Sequence, residues 1–126
     1  MDCLIDILQN KEIPVRYKFM QEGDVAVVAF SGNVTGGPDA DELHGEIKTK
    51  LEEGLRKFVF DFSKAKWINS TGLAIVAAAH MSVRAAEGRF AICGTNERIE
   101  GVFYISRLEK IIETFENLKA AKTAFE

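Results

Sequence analysis

Between Phe58 and Leu73 the chain runs FVFDFSKAKWINSTGL, and this stretch restricts the fold more than any other. Phe58–Phe62 is apolar apart from Asp61, a length and composition suited to a buried strand bounded by turn residues. A tight polar turn follows. Asn69, Ser70 and Thr71 are all helix-capping types, and the small and apolar run from Leu73 reads as the helix they open. The segment thus predicts strand, turn and helix, with Ser70 at a helix N-terminus just past the carboxyl end of a strand. Open sheets bind their partners at that edge. A hydroxyl in that place can cap the helix, attack a substrate or accept a phosphate.

The rest of the chain repeats the pattern. Val15–Met20 and Val25–Phe30 read as strands joined by Gln21-Glu22-Gly23-Asp24, a polar link suited to a hairpin. Ser31–Pro38 (SGNVTGGP) holds three glycines and a proline and reads as a flexible loop. A helix is predicted from Asp39 or Asp41 to about Glu53, with Leu43, Ile47 and Leu51 on its buried face and Gly54 as its stop. Ser70–Glu87 is the next helix, ended by Gly88, and Phe90–Cys93 the next strand. Gly94-Thr95-Asn96 turns into a helix near Glu97–Ile105. A short strand is expected around Ile111-Ile112. A terminal helix follows from Phe115 or Glu116, with Leu118, Ala121 and Phe125 at helical spacing. After the opening hairpin, strands and helices alternate, which favours parallel strands and right-handed crossovers. The expected fold class is α/β, a mixed, mostly parallel sheet of about five strands with helices packed on it. Residues 1–126 are expected to form a single domain, with 1–12 as an N-terminal extension whose Leu4, Ile5, Ile7 and Leu8 suit a short amphipathic turn. Ala74, Ala77, Ala78 and Ala79 make the long helix unusually smooth, and close packing on the sheet is the expected reason for most of them.

Composition removes several function classes. A net charge of −3 and no long Lys/Arg cluster leave no electrostatic basis for nucleic-acid binding. Cys3 and Cys93 are too few and too far apart for a disulfide framework or a zinc site, and fit free thiols in a reducing compartment. The longest apolar stretch, Leu73–Ala79, is far short of the roughly 20 residues that span a bilayer. The start of the chain has acidic residues where a signal peptide has basic ones. The expected location is the cytoplasm, without membrane insertion.

Catalysis finds little support. A serine nucleophile needs a base within hydrogen-bond reach. His80 lies ten residues into the helix that Ser70 opens, about 15 Å along its axis. His44 is on another helix, and no G-x-S-x-G turn is present. Gly32, Gly36 and Gly37 precede a helix, but neither a P-loop nor a dinucleotide fingerprint is there, so a flexible loop is the simpler reading. No metal-ligand spacing occurs, and neither metal nor cofactor is expected. Asp39 and Asp41 suit the positive end of a helix dipole, and with Glu42 and Glu46 they give no catalytic pair. What remains is Asn69-Ser70-Thr71, where capping and regulation both stay open.

Phe58–Leu73 resembles the signature of the STAS domain, in particular its anti-sigma factor antagonist type. That signature is a hydrophobic strand ending in an aspartate-apolar-serine step, a short link, then Asp-Ser-Ser/Thr-Gly-Leu. Its counterparts here are Asp61, Phe62 and Ser63, then Ile68, Asn69, Ser70, Thr71, Gly72 and Leu73. Val25–Gly32, Arg89–Cys93 and Ile99–Phe115 are similar to further family elements, so the resemblance extends from about Val15 to Phe125. Asn69 departs from the usual Asp, keeping the capping geometry and removing a charge. Thr35 stands where the family often has Asp in its early loop.

The resemblance implies a partner switch with no catalytic residues of its own. Ser70 falls on the phospho-acceptor position. Unmodified, such a domain binds an anti-sigma factor that is also a serine kinase and frees the sigma factor. Phosphorylated, it dissociates, and a serine phosphatase resets it. Asn69, Thr71, Gly72 and Thr35 are the implied partner-binding residues, Gly72 by admitting a partner's backbone; Ala74 and Ile75, on the first turn, are further contacts or equally core residues. Two other readings remain: a constitutive interaction module in a transport or stress-signalling assembly, and a nucleotide-responsive domain using Gly36-Gly37.

Overall fold

A computed structural model of the chain describes residues 16–35 and 38–125. The expected amphipathic turn in 1–12, Cys3 and the Gly36-Gly37 loop lie outside these residues. The described elements are β1 (Arg16–Glu22), β2 (Val25–Val34), α1 (Pro38–Glu52), β3 (Lys57–Ile68), α2 (Ser70–Ala85), β4 (Arg89–Cys93), α3 (Glu97–Ser106), a 3-10 turn (Leu108–Lys110), β5 (Glu113–Phe115) and α4 (Leu118–Ala124). The five strands form one sheet in the order β1-β2-β3-β4-β5. The hairpin β1/β2 is antiparallel and every other pair is parallel, the mixed sheet expected of a hairpin followed by strand–helix alternation.

Strand alternation sorts the core into two layers. Phe30, Phe58, Phe60, Phe62 and Phe90 point to the side covered by α1, α2 and α3, where Leu43, Ile47, Val76, Val83 and Phe103 meet them. The rings interlock across strands. Phe30 and Phe62 stack with centroids 5.1 Å apart, and Phe60 meets Phe30 and Phe90 edge-on at 5.0 and 4.8 Å. Such pairs add about 0.5–1.5 kcal/mol each to the burial of the rings. Val25, Val27, Val59, Ala91 and Cys93 point to the other side, which α4 covers with Ala121 and Phe125 packing beside its last turn.

Two predicted irregular segments are strand. β2 continues through Val34, and Pro38 opens α1 as its first residue, where a missing N–H costs nothing. β3 continues through Ile68, so the polar turn expected after Phe62 is extended chain. The two tails pair with each other, Gly32 with Ala65 and Val34 with Ile68, past register shifts at Ala29/Ser31 and Gly32/Asn33. Gly32 takes a left-handed φ of 71° at the kink, which a glycine adopts without strain. The shifts change the alternation, burying Ala65 and Ile68 while Lys64 and Lys66 stay exposed. The last strand falls at Glu113–Phe115 rather than at Ile111-Ile112. Leu108–Lys110 closes a 3-10 turn ahead of it, and Ile112 is buried in the core instead of pairing. Among the α2 alanines only Ala79 is buried; Ala77 and Ala78 are half-buried and Ala74 is exposed, so packing on the sheet explains one of the four.

Candidate functional site

The paired tails of β2 and β3 deliver the chain to α2 at Asn69. The Asn69 N–H donates to the Val34 carbonyl at 3.2 Å, fixing the start of the helix to the end of β2. Asn69 has an extended backbone (φ −105°, ψ −175°), and its Oδ1 accepts from the Gly72 N–H at 2.7 Å and from the Thr71 hydroxyl at 2.8 Å. Asn69 is therefore the N-cap. Ser70 is the first helical residue, so of the tasks open to its hydroxyl the capping one falls to Asn69 instead. The Ser70 side chain is exposed, and its Oγ makes no hydrogen bond among the described residues. Thr71 is exposed as well, but its hydroxyl is engaged with the cap.

Gly72 has a different job from the one expected of it. It is buried, and a Cβ built on it would lie 2.0 Å from the Val34 carbonyl oxygen and 2.8 Å from the Val34 carbonyl carbon. The backbone that approaches it closely is the chain's own. Ile75 is only 9% exposed and belongs to the core, with Ala74 beside it in the open. Thr35, just past the end of β2, is half-buried. Six of the seven named positions thus sit in the first two turns of α2 or its cap; Thr35 adjoins Val34, where β2 meets them.

Residues of α1 and α2 together line a cavity of about 290 Å³. Leu43, Ile47, Ile75 and Ala78 give it apolar walls, Thr71 and Ala74 line it from the first turns of α2, and Asp41, His44 and Thr71 supply its polar groups. These α1 residues are absent from the sequence-derived set. Their helical spacing is visible in the sequence, but the packing of α1 beside α2 is tertiary. No acidic side chain stands in the first turn of α2, and none of its residues from Ser70 to Ala79 is charged.

The aspartate-apolar-serine step is a structural staple at the sheet's carboxyl edge. Asp61 Oδ1 accepts from the Ser63 N–H at 3.0 Å and the Ser63 hydroxyl at 2.6 Å. The neighbouring Cys93 thiol has its pKa pushed up to about 12 by burial, with the Asp61 carboxylate adding to the rise. Gly94 fits against this turn at φ 69°, where a Cβ would come within 2.9 Å of the Ser63 nitrogen. Asn96 caps α3 by accepting from the Ile99 N–H at 3.0 Å, and its Nδ2 donates to the Ala65 carbonyl at 3.1 Å, holding the β3 tail from the other side. Trp67, 36% exposed, sits on that tail three residues before Ser70.

The STAS domain family model matches residues 17–121. A curated relative, named as the anti-sigma factor antagonist BtrV of Bordetella bronchiseptica, is 26% identical over 84% of this chain and 91% of its own. Among solved structures, a Thermotoga maritima protein described as an anti-sigma factor antagonist superposes with a TM-score of 0.76 at 19% identity, covering 86% of this chain and 92% of that one. The anti-sigma factor antagonist SpoIIAA of Bacillus matches in its unphosphorylated form (TM-score 0.73, 15% identity, 86% of this chain and 96% of that one). It also matches in its phosphorylated form (TM-score 0.67, 16% identity, 88% and 99%). At these identities the structural matches establish the fold. No described helix is long and apolar enough to cross a membrane.

Proposed function

The chain belongs to the STAS domain family, and from that membership we propose that it is a non-enzymatic partner switch of the anti-sigma factor antagonist type, controlled by phosphorylation of Ser70. In this reading it acts in the cytoplasm. Unmodified, it binds an anti-sigma factor that is also a serine kinase. Phosphorylated by that kinase it lets go, and a serine phosphatase restores it.

One observation carries the proposal: the helix is capped by Asn69, and Ser70 is exposed with no hydrogen bond among the described residues. A hydroxyl with no structural task can be modified without disturbing the fold. Phosphate adds roughly −1.5 to −2 charges. On the first helical residue it meets the positive end of the helix dipole, so the domain accommodates it. In a closed interface the same group must shed its hydration against the uncharged start of α2 and whatever faces it. Binding is lost while the fold stays intact.

The test uses candidate serine kinases encoded in the chain's genomic neighbourhood. Their affinity is measured for the unmodified protein, Ser70→Ala and Ser70→Glu, with phosphate incorporation followed by intact mass. Trp67, the single tryptophan, gives a fluorescence signal next to the site. The expected result is tight binding by the unmodified protein and Ser70→Ala, at least tenfold weaker binding by Ser70→Glu, and one phosphate that Ser70→Ala does not take. Equal binding by all three with no phosphate taken up overturns the switch and leaves a constitutive interaction module.

A further inference from the structure

We propose that the cavity between α1 and α2 is the anchoring pocket of the partner interface, and that it receives an apolar side chain with a basic residue beside it. The inference rests on the partner-switch reading of Ser70 and specifies the chemistry of the partner that reading requires.

The cavity is continuous with the phospho-acceptor end, because Thr71 and Ala74 line it and both lie within four residues of Ser70. Its walls are aliphatic: Leu43 and Ile47 come from α1, and Ile75 from α2. The opening exists because α2 carries alanine at 74 and 78, one helical turn apart on the face turned to α1. Neither alanine is buried in the core, so the sheet does not account for their size. At about 290 Å³ the space accepts a branched aliphatic or aromatic side chain, the kind of central apolar anchor around which interfaces concentrate their binding energy.

Charge supplies the second half of the specification. Asp41 is exposed, and no lysine or arginine is among the described residues that line the cavity. Along α2 no charge occurs before Arg84 apart from the neutral-leaning His80. A partner surface closing here therefore meets the Asp41 carboxylate beside the apolar walls. An acidic partner residue beside the anchor is repelled by Asp41 and a basic one is attracted, which steers association and fixes register more than it adds affinity. A phosphate on Ser70 would lie at the end of the same groove, so the anchor and the switch share one interface.

Binding of the neighbouring serine kinase tests this with Ala78→Leu, which fills the cavity from within, and Asp41→Lys, which reverses the charge on an exposed side chain. Both are compared with Ser70→Glu, and far-UV circular dichroism and thermal midpoints are recorded for each. The expected result is at least a tenfold loss of affinity for Ala78→Leu. Asp41→Lys should show a slower association rate and a weaker dependence of that rate on salt. Loss by Ser70→Glu with Ala78→Leu and Asp41→Lys both within twofold of the unmodified protein overturns the pocket and leaves the switch standing. Loss by the two groove variants without loss by Ser70→Glu keeps the pocket and removes the switch. If Ala78→Leu lowers the thermal midpoint, the Asp41→Lys association rate decides alone.

Discussion

Replacing Gly72 with alanine makes an adverse test of the site's architecture, because helix propensity and packing pull in opposite directions. In an open helix the change is favourable by about 1 kcal/mol. At Gly72 the added Cβ would lie 2.0 Å from the Val34 carbonyl oxygen, a position that real Cβ atoms do not take below 3.0 Å, so the helix start must move by about 1 Å. Overpacking of this kind costs about 1–3 kcal/mol. The same displacement weakens the Asn69 N–H to Val34 bond, worth about 1 kcal/mol. The balance is a loss of about 2 kcal/mol, or roughly 5–10 °C in the thermal midpoint for a domain of this size. Gly45 is the control, since it lies exposed in α1 with nothing within 4 Å of a built Cβ. There the same substitution should stabilise by about 0.5–1 kcal/mol. Urea titrations of both variants beside the parent protein measure the difference. A Gly72→Ala protein as stable as the parent, or more so, refutes the claim that the glycine exists for the contact with Val34.

Asn69→Ala should cost about 1 kcal/mol through loss of the cap, and Ser70→Ala should stay within about 0.5 kcal/mol of the parent; equal losses in chemical denaturation would return the capping role to Ser70. His80 has its pKa lowered from 6.5, chiefly by burial and then by the Arg84 charge. The unfolded chain therefore takes up the proton first, so the contribution of His80 to stability is present above pH 6.5 and lost as pH falls below it. Thermal midpoints between pH 7.5 and 5.5 should decline less in His80→Gln, and parallel declines would refute the assignment. In a Cys3→Ser background, the Cys93 thiol should resist iodoacetamide at pH 8 in the folded protein and react in urea, because it is fully buried and its pKa is about 12. Rapid alkylation without denaturant would show the site to be open.

The strand and helix order was legible because hydrophobic periodicity is a local signal, and α2, β4 and α3 begin where capping residues and glycines place them. The tails of β2 and β3 were not. Gly32, Asn33 and Val34 read as loop, and Ser63, Lys64 and Lys66 read as turn. Each tail is held as strand by hydrogen bonds to the other, a non-local pairing that propensity does not carry. The same holds for the site. Asn69, Ser70 and Thr71 are visible as capping types, but which of them caps depends on where the backbone turns helical, and that is set by the anchoring of Asn69 to Val34. Gly72 was legible as special and illegible in purpose, since its neighbour lies 38 positions away in the chain. Asp41 and His44 join the site only through the packing of α1 on α2.

Among the described residues the turn's hydrogen-bonding and packing tasks fall to the neighbours of Ser70. Asn69 caps, Thr71 braces the cap, Gly72 lets the helix sit on β2, and Ser70 does none of these. This has a consequence that separates a switch from simple damage to the fold. A carboxylate on the first helical residue is favoured by the dipole by about 0.3–1 kcal/mol. No acidic side chain in the first turn of α2 opposes it. Ser70→Glu should therefore leave the domain as stable as the parent or slightly more so, while weakening the partner complex at least tenfold. The two effects have opposite signs and come from separate measurements, urea denaturation of the free protein and titration of the partner. A Ser70→Glu protein that loses both stability and binding would mean that the charge acts by disturbing the fold, and that the hydroxyl was not idle.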